Sequence, residues 1–192
     1  MKELDIYAID AVLPQTQCEQ CGFKGCLEYA KAIASGEANI NRCPAGGEVG
    51  IEQLSQITGF PIIPLDETRG EHVPFEIAVI DAKRCIGCKL CVRACPTEAI
   101  VGCGKHLHQV DEDRCTGCCL CMIACPMDCI EMKRVGRDWT KEDADHARKN
   151  YKIRNIRRAK RQEKAEQRLQ ERSSQIDKKA FLLSLMKKAK SE

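Results

Sequence analysis

The chain has 192 residues, of which 15 are cysteine and only eight aromatic, and its formal charge of +3 is the difference between 31 basic and 28 acidic side chains. So little apolar bulk excludes a single large hydrophobic core and points to small domains held together by disulfides or metal. The longest apolar runs, such as Ile77 to Ile80 and Phe181 to Met186, fall far short of the roughly 18 residues that cross a bilayer.

The opening MKELDIYAIDAVLP mixes charges through its first ten residues and lacks the apolar stretch and small-residue cleavage site of a secretory signal. The expectation is a cytoplasmic chain, where thiols stay reduced unless a metal takes them, and an odd number of cysteines fits poorly with closed disulfides. Charge is divided along the chain. Residues 1–136 carry 13 Lys and Arg against 19 Asp and Glu, whereas residues 137–192 carry 18 against 9, and every cysteine lies in the acidic part.

The first domain, residues 1–60, contains Cys18-x2-Cys21-Gly22-x2-Gly25-Cys26-x16-Cys43-Pro44. Gly22 and Gly25 allow the backbone to fold back between donors. A helix is expected from Cys26 to Ser35, stopped by Gly36, and a second after Gly47, where Val49, Ile51, Leu54 and Ile57 are helically spaced and Gly59 lies past the end. Spacing alone leaves both a 4Fe-4S cluster and a zinc ion open for Cys18, Cys21, Cys26 and Cys43. Residues 61–75, with Pro61, Pro64, Gly70 and Pro74, read as a linker with one short extended piece.

From 76 to 136 the chain repeats itself with a period of 30 residues: VIDAKRCIGCKLCVRACPTEAI at 79–100 aligns with QVDEDRCTGCCLCMIACPMDCI at 109–130. Such a repeat is one supersecondary unit copied once. Each copy predicts a strand (Ile77 to Ile80; Leu107 to Val110), a cysteine loop, a short helix beginning at the Cys-Pro, and a returning strand (Ile100 to Val101; Ile130 to Met132). The fold class is therefore α+β: a small domain of helices and loops, then a ferredoxin-like module with a pseudo-twofold axis, then a helical basic tail.

Both copies carry Cys-x2-Cys-x2-Cys-x3-Cys-Pro, the bacterial 4Fe-4S spacing in which the fourth cysteine ligates the other cluster. Cluster B is assigned to Cys85, Cys88, Cys91 and Cys125, and cluster C to Cys115, Cys118, Cys121 and Cys95. Structural zinc prefers two separated cysteine pairs, a poorer description of three closely spaced thiols and a distant fourth. Cys103, Cys119 and Cys129 read as structural or, for Cys103, as an exposed thiol. His106 and His108 alternate along a strand and are expected on one surface face. No nucleotide-binding glycine loop, Ser-His-Asp set or HExxH pattern is present, so no catalytic residue is assigned.

The tail, residues 137–192, has no Gly or Pro between 141 and 172 and predicts a long exposed helix. Its end, KKAFLLSLMKK, sets an apolar block between lysine pairs, as in a helix lying on anionic lipid or a hydrophobic anchor for a partner. The stripe YKIRNIRRAKRQ raises an alternative, a nucleic-acid-associated or redox-sensing iron-sulfur protein. Only Tyr151 in that stretch could stack on a base.

AIDAVLPQTQCEQCGFKGCLEYAKAIASGEANINRCPAGGE, with IDAKRCIGCKLCVRACPTEAIVG, HQVDEDRCTGC and CPMDCIEM, resembles the B subunit of the Rnf electron transport complex over about residues 6 to 133. The resemblance implies one 4Fe-4S cluster on Cys18, Cys21, Cys26 and Cys43 (cluster A) and two on the repeat: three clusters that relay single electrons. The implied partners are redox proteins, either Rnf-type membrane subunits or a ferredoxin. The family's membrane-spanning N-terminal helix is not in this sequence, and the basic tail is additional, so a cytoplasmic protein peripheral to the cytoplasmic face of the inner membrane is expected. With about -2 on each oxidised cluster, the acidic part would reach about -12 and attract a basic partner.

Overall fold

The computed structural model describes residues 4–188, with side chains to Ile176. The chain divides into two compact units, one ending at Lys152 and one starting at Ile153.

The first unit opens with three helices. Helix α1, Ile6–Val12, starts where the Asp5 carboxylate accepts the Tyr7 amide at 2.8 Å. The sequence gives no sign of it, because seven residues are too few to show a helical period. Helix α2, Cys26–Ala34, ends one residue earlier than expected, with Ser35 as its cap. Helix α3, Gly47–Thr58, ends at Gly59, whose φ of 75° is the left-handed geometry a glycine adopts without steric cost. Ile9, Leu13, Tyr29, Ile33, Ile40, Ile51 and Leu54 form the core between them. The buried Tyr29 hydroxyl donates to the Asn39 carbonyl at 2.8 Å and accepts the Arg42 amide at 3.0 Å, satisfying the one polar atom of that side chain.

The segment read as a linker lies against this core. Asn41 Nδ2 donates to the Pro64 carbonyl at 2.6 Å, and the Asp66 amide donates to the Asn41 carbonyl at 3.0 Å. His72 Nδ1 lies 2.9 Å from the Pro44 carbonyl. In place of an extended piece there is a 3-10 turn, Glu67–Arg69, capped by Asp66.

In the repeat, β1 (Glu76–Ile80) pairs antiparallel with β4 (Ile130–Arg134), Glu76 opposite Arg134, and β2 (Ile100–Val101) pairs antiparallel with β3 (Gln109–Val110). Each small sheet takes one strand from each copy. The helices α4 (Leu90–Ala94) and α5 (Leu120–Ile123) correct an expectation: they contain the third cysteine of each motif and end before the Cys-Pro. A proline pushes the residue before it out of the helical region, and Cys95 accordingly has an extended ψ of 120°. β3 is also shorter than predicted, leaving Leu107 and His108 outside it. The interior contains Ala78, Ala99, Ile100 and Ile130 together with Cys91, Cys95, Cys121 and Cys129, so thiols make up much of what this module buries.

Helix α6, Lys141–Lys188, begins with a reciprocal capping box. The Asp143 carboxylate accepts the Thr140 amide at 2.9 Å, and Thr140 Oγ1 accepts the Asp143 amide at 3.2 Å. As far as Lys152 this helix belongs to the first unit. In the second unit Ile153, Ile156, Leu169 and Ile176 are exposed. The side chains of KKAFLLSLMKK lie outside the described residues. Among the described residues, no helix is long and apolar enough to cross a membrane.

Candidate metal centres

The first group sits in a loop that turns sharply. Gln15, Gln17 and Glu19 all have positive φ, at 57°, 56° and 62°, conformations that cost an L-residue energy unless its surroundings hold it. Buried carboxamides hold it here. Gln15 Nε2 donates to the Asp10 carbonyl at 2.7 Å, Gln17 Nε2 donates to Gln15 Oε1 at 2.8 Å, and Gln17 Oε1 accepts the Cys26 amide at 3.0 Å.

Residues from the basic end of the sequence complete this support. Trp139 Nε1 donates to the Pro14 carbonyl, Arg148 Nη2 to the Asp10 carbonyl and the Tyr151 hydroxyl to the Lys24 carbonyl, each at 2.8 Å. A Cβ on Gly25 would come within 2.9 Å of both Gln17 Oε1 and the Tyr151 hydroxyl, so this position must be glycine. Sequence reasoning misses all five side chains. QTQ before Cys18 carries no turn signature, and partners more than 120 positions away leave no local pattern.

Cys21, Cys26 and Cys43 are buried and Cys18 half-buried. Burial pushes the Cys43 thiol up to about 12, and the charges of Cys18 and Cys21 add to the rise. Cys26 is raised by its own burial and then by Cys43, Cys18 and Cys21.

In the repeat, sulfurs of both copies act on one another. Burial raises the Cys91 thiol, and the sulfurs that raise it further are Cys88, Cys85 and Cys125. Burial pushes Cys118 and Cys121 up to about 12, with Cys95 contributing to both, and Cys115 and Cys91 to Cys121. Cys95, Cys115, Cys118, Cys119 and Cys121 line one small cavity with Ala78 and Ala99.

The chemistry of these sets fits thiolate ligation. The Ala99 amide donates to Cys95 Sγ at 3.2 Å and the Ala78 amide to Cys115 Sγ at 3.4 Å, aiming N–H dipoles at sulfurs that would carry charge. Burying several thiolates side by side is unfavourable until a metal centre neutralises them, so assembly would release protons. Among the described residues, no three His, Cys, Asp or Glu side chains converge on one ion-sized point.

The remaining cysteines differ from one another. Cys129 is buried with its sulfur 3.4 Å from Cys125 Sγ, and burial pushes it up to about 12. Burial also acts to raise Cys125, but the amides of Cys129 and Met127 outweigh it and hold that thiol below its usual range. Cys103 is exposed, 3.2 Å from His106 Nδ1. Cys119 is half-buried, raised by burial and then by neighbours that include Cys18 and Cys115, which places it between the first and third sets.

His108 corrects the reading of two surface histidines. His106 is exposed, but His108 is only 2% exposed, with Nδ1 3.3 Å from Cys91 Sγ. Strand alternation does not extend back to these residues, which precede β3.

The two cysteine loops also meet different surroundings. Thr116, in the second, is 4% exposed and its hydroxyl donates to the Thr16 carbonyl at 2.9 Å, joining this loop to that of Cys18. Ile86, the equivalent residue of the first loop, is 56% exposed, and Cys88 beside it is exposed. A cleft of about 1010 Å³ opens beside Cys18, with Thr16, Cys119, His72 and Trp139 in its walls.

A family model described as "Putative Fe-S cluster" matches residues 13–45, and one described as "4Fe-4S dicluster domain" matches residues 78–132. Among curated relatives, the B subunit of the ion-translocating oxidoreductase complex of Azoarcus sp. is 52% identical over 151 residues, 79% of this chain and 80% of the relative. That of Alkalilimnicola ehrlichii is 53% identical over 73% of this chain and 79% of its own length. Its counterpart in Thiobacillus denitrificans is 55% identical over 102 residues, 53% of this chain and 54% of the relative. With both iron-sulfur models matched and relatives aligned over most of their length, the chain belongs to the family of iron-sulfur electron-transfer proteins formed by the B subunits of Rnf-type ion-translocating oxidoreductases.

Proposed function

We propose that this chain holds three 4Fe-4S clusters and relays single electrons between an interior site and an exposed port. The ligands are Cys18, Cys21, Cys26 and Cys43 for cluster A, Cys85, Cys88, Cys91 and Cys125 for cluster B, and Cys115, Cys118, Cys121 and Cys95 for cluster C. Each cluster, when bound, would accept and release one electron. The cysteine spacing carries this reading, and the amides donated to Cys95 Sγ and Cys115 Sγ support it.

The protein's own contribution is order and insulation. The Thr116 to Thr16 hydrogen bond sets the loops of clusters A and C against each other, while exposed Cys88 leaves the cluster B loop facing solvent. The sequence of contacts is therefore A, C, B, with B at the port. The domain reading is 1–60, a tethered connection at 61–75, 76–136, and a tail from 137 whose residues to Lys152 brace the first site.

At the port we infer an acidic partner. Lys83, Arg84 and Lys89 flank Cys88 in sequence, and the Lys105 amide donates to the Gly87 carbonyl beside it at 3.1 Å. An acidic redox protein, such as a ferredoxin, fits this rim, and Rnf-type membrane subunits fit the other end of the relay. The location is the cytoplasm, peripheral to the inner membrane through residues 153–192.

The decisive experiment counts iron and acid-labile sulfide per chain, with low-temperature EPR of the reduced protein. Three clusters correspond to about twelve iron atoms. About eight, with stoichiometric zinc, would assign zinc to Cys18, Cys21, Cys26 and Cys43 and leave a two-cluster protein. Deleting residues 153–192 should leave the iron unchanged and abolish sedimentation with anionic vesicles. Equal sedimentation of both forms removes the membrane role.

A further inference from the structure

The two copies of the repeat share cysteine spacing but not what lies behind the cysteines. His108 occupies the position that Ala78 has in the first copy. At Ala78 the backbone amide reaches Cys115 Sγ, and the methyl side chain adds nothing polar. At His108 an imidazole reaches Cys91 Sγ, with Nδ1 at 3.3 Å.

The environment of that ring defines its chemistry. A metal-bound thiolate only accepts, so the contact requires the proton on Nδ1. Nε2 is then a bare acceptor, and it is buried with no hydrogen-bond partner. The contact with Cys91 is thus the one hydrogen bond the ring makes among the described residues. Its place is kept by Gly102, where a Cβ would fall 2.1 Å from His108 Cδ2.

We propose that His108 is a positioning residue for electron transfer: its Nδ1–H bond to Cys91 raises the reduction potential of cluster B and so makes the two clusters of the repeat redox-inequivalent. A donor to a ligand sulfur stabilises the more negative reduced state. Cluster C has no side-chain donor in the corresponding place. The consequence is a bias that draws an arriving electron toward the exposed port.

This inference rests on the cluster assignment above, and its test separates the two. Midpoints are measured by EPR-monitored redox titration of the reconstituted full chain, the signal of cluster B being the one that Cys125→Ala removes. In His108→Leu that midpoint should fall by about 59 mV, a tenfold change for one electron, with the others unmoved. In His108→Asn, whose amide nitrogen takes the place of Nδ1, most of the fall should be recovered. Gly102→Ala, which displaces the ring without removing it, should lower the same midpoint. Unmoved midpoints in His108→Leu, or an equal fall in Leu and Asn, overturn the proposal. Should His108→Leu lose iron, Gly102→Ala decides, a lowered midpoint supporting the role and an unchanged one ending it. A wild-type chain with no EPR signal sensitive to Cys125 overturns the assignment of cluster B instead.

Discussion

The loop at 85–91 and the loop at 115–121 are near twins in sequence, yet one faces solvent and the other is packed against the first module. Ile86 and Thr116 occupy equivalent positions, but the first is exposed and the second buried with its hydroxyl bonded to Thr16. Both loops start a short helix from a left-handed residue, Lys89 or Cys119. Local geometry is therefore common to the copies, and the difference in role comes from neighbours that the spacing does not encode. On the proposed relay, one loop would be an internal link and the other a contact surface.

The severest way to break the comparison exchanges donors between the loops. Cys95→Ala should cost the set of the packed loop and Cys125→Ala that of the exposed loop, each removing about four of twelve iron atoms. Loss of the sequence-local set in either variant, read from iron content and EPR, would reverse the assignment.

The packed loop rests on a module that is itself braced by α6. Arg148 donates to the Asp10 carbonyl and lies 3.4 Å from its carboxylate, both side chains largely buried. Arg148→Ala should destabilise the first module by about 2 kcal/mol, the scale of a hydrogen bond to a charged group. Urea titration followed by cluster absorbance should show the bands of cluster A lost first. The exposed loop is sensitive to charge instead. Reversing Lys83 and Lys89 to Glu should slow reduction of an acidic carrier roughly tenfold at low salt, and the difference should shrink as salt rises. A rate indifferent to both charge and salt would place the port elsewhere.

Thr116→Val tests the contact that distinguishes the twins. It should cost about 1 kcal/mol and slow internal electron exchange, while Ile86→Val in the exposed loop should leave both stability and exchange unchanged. The smallest effect lies at the start of α6. The Arg137 guanidinium, opposed by burial and aided by Thr140, holds the Asp143 carboxyl below its usual range. Because the folded value is the lower one, this contribution is complete above the unfolded carboxylate range near pH 4 and disappears as pH falls through the folded value. The melting-temperature gap between wild type and Asp143→Asn should be constant from pH 7 to about 4 and close below it.

Much of the protein is legible in the amino-acid order alone. Cysteine spacing carries the cluster chemistry, because ligands two residues apart can reach adjacent corners of one cubane without help from the rest of the fold. The 30-residue repeat carries the module, and Gly36 and Gly59 mark helix ends through their own conformational freedom. Proline acts locally too, yet in the repeat it stands just beyond the end of its helix and not at the start, where the sequence alone suggests it. What only the tertiary structure decided depends on residues far apart. Arg148 and Tyr151 brace the first site by donating to the Asp10 and Lys24 carbonyls, His108 turns inward because Gly102 leaves room for its ring, and Thr116 is buried by a carbonyl 100 positions away. A hydrogen bond between such distant residues leaves no periodicity to read, since its energy depends on two surfaces meeting and not on either segment alone.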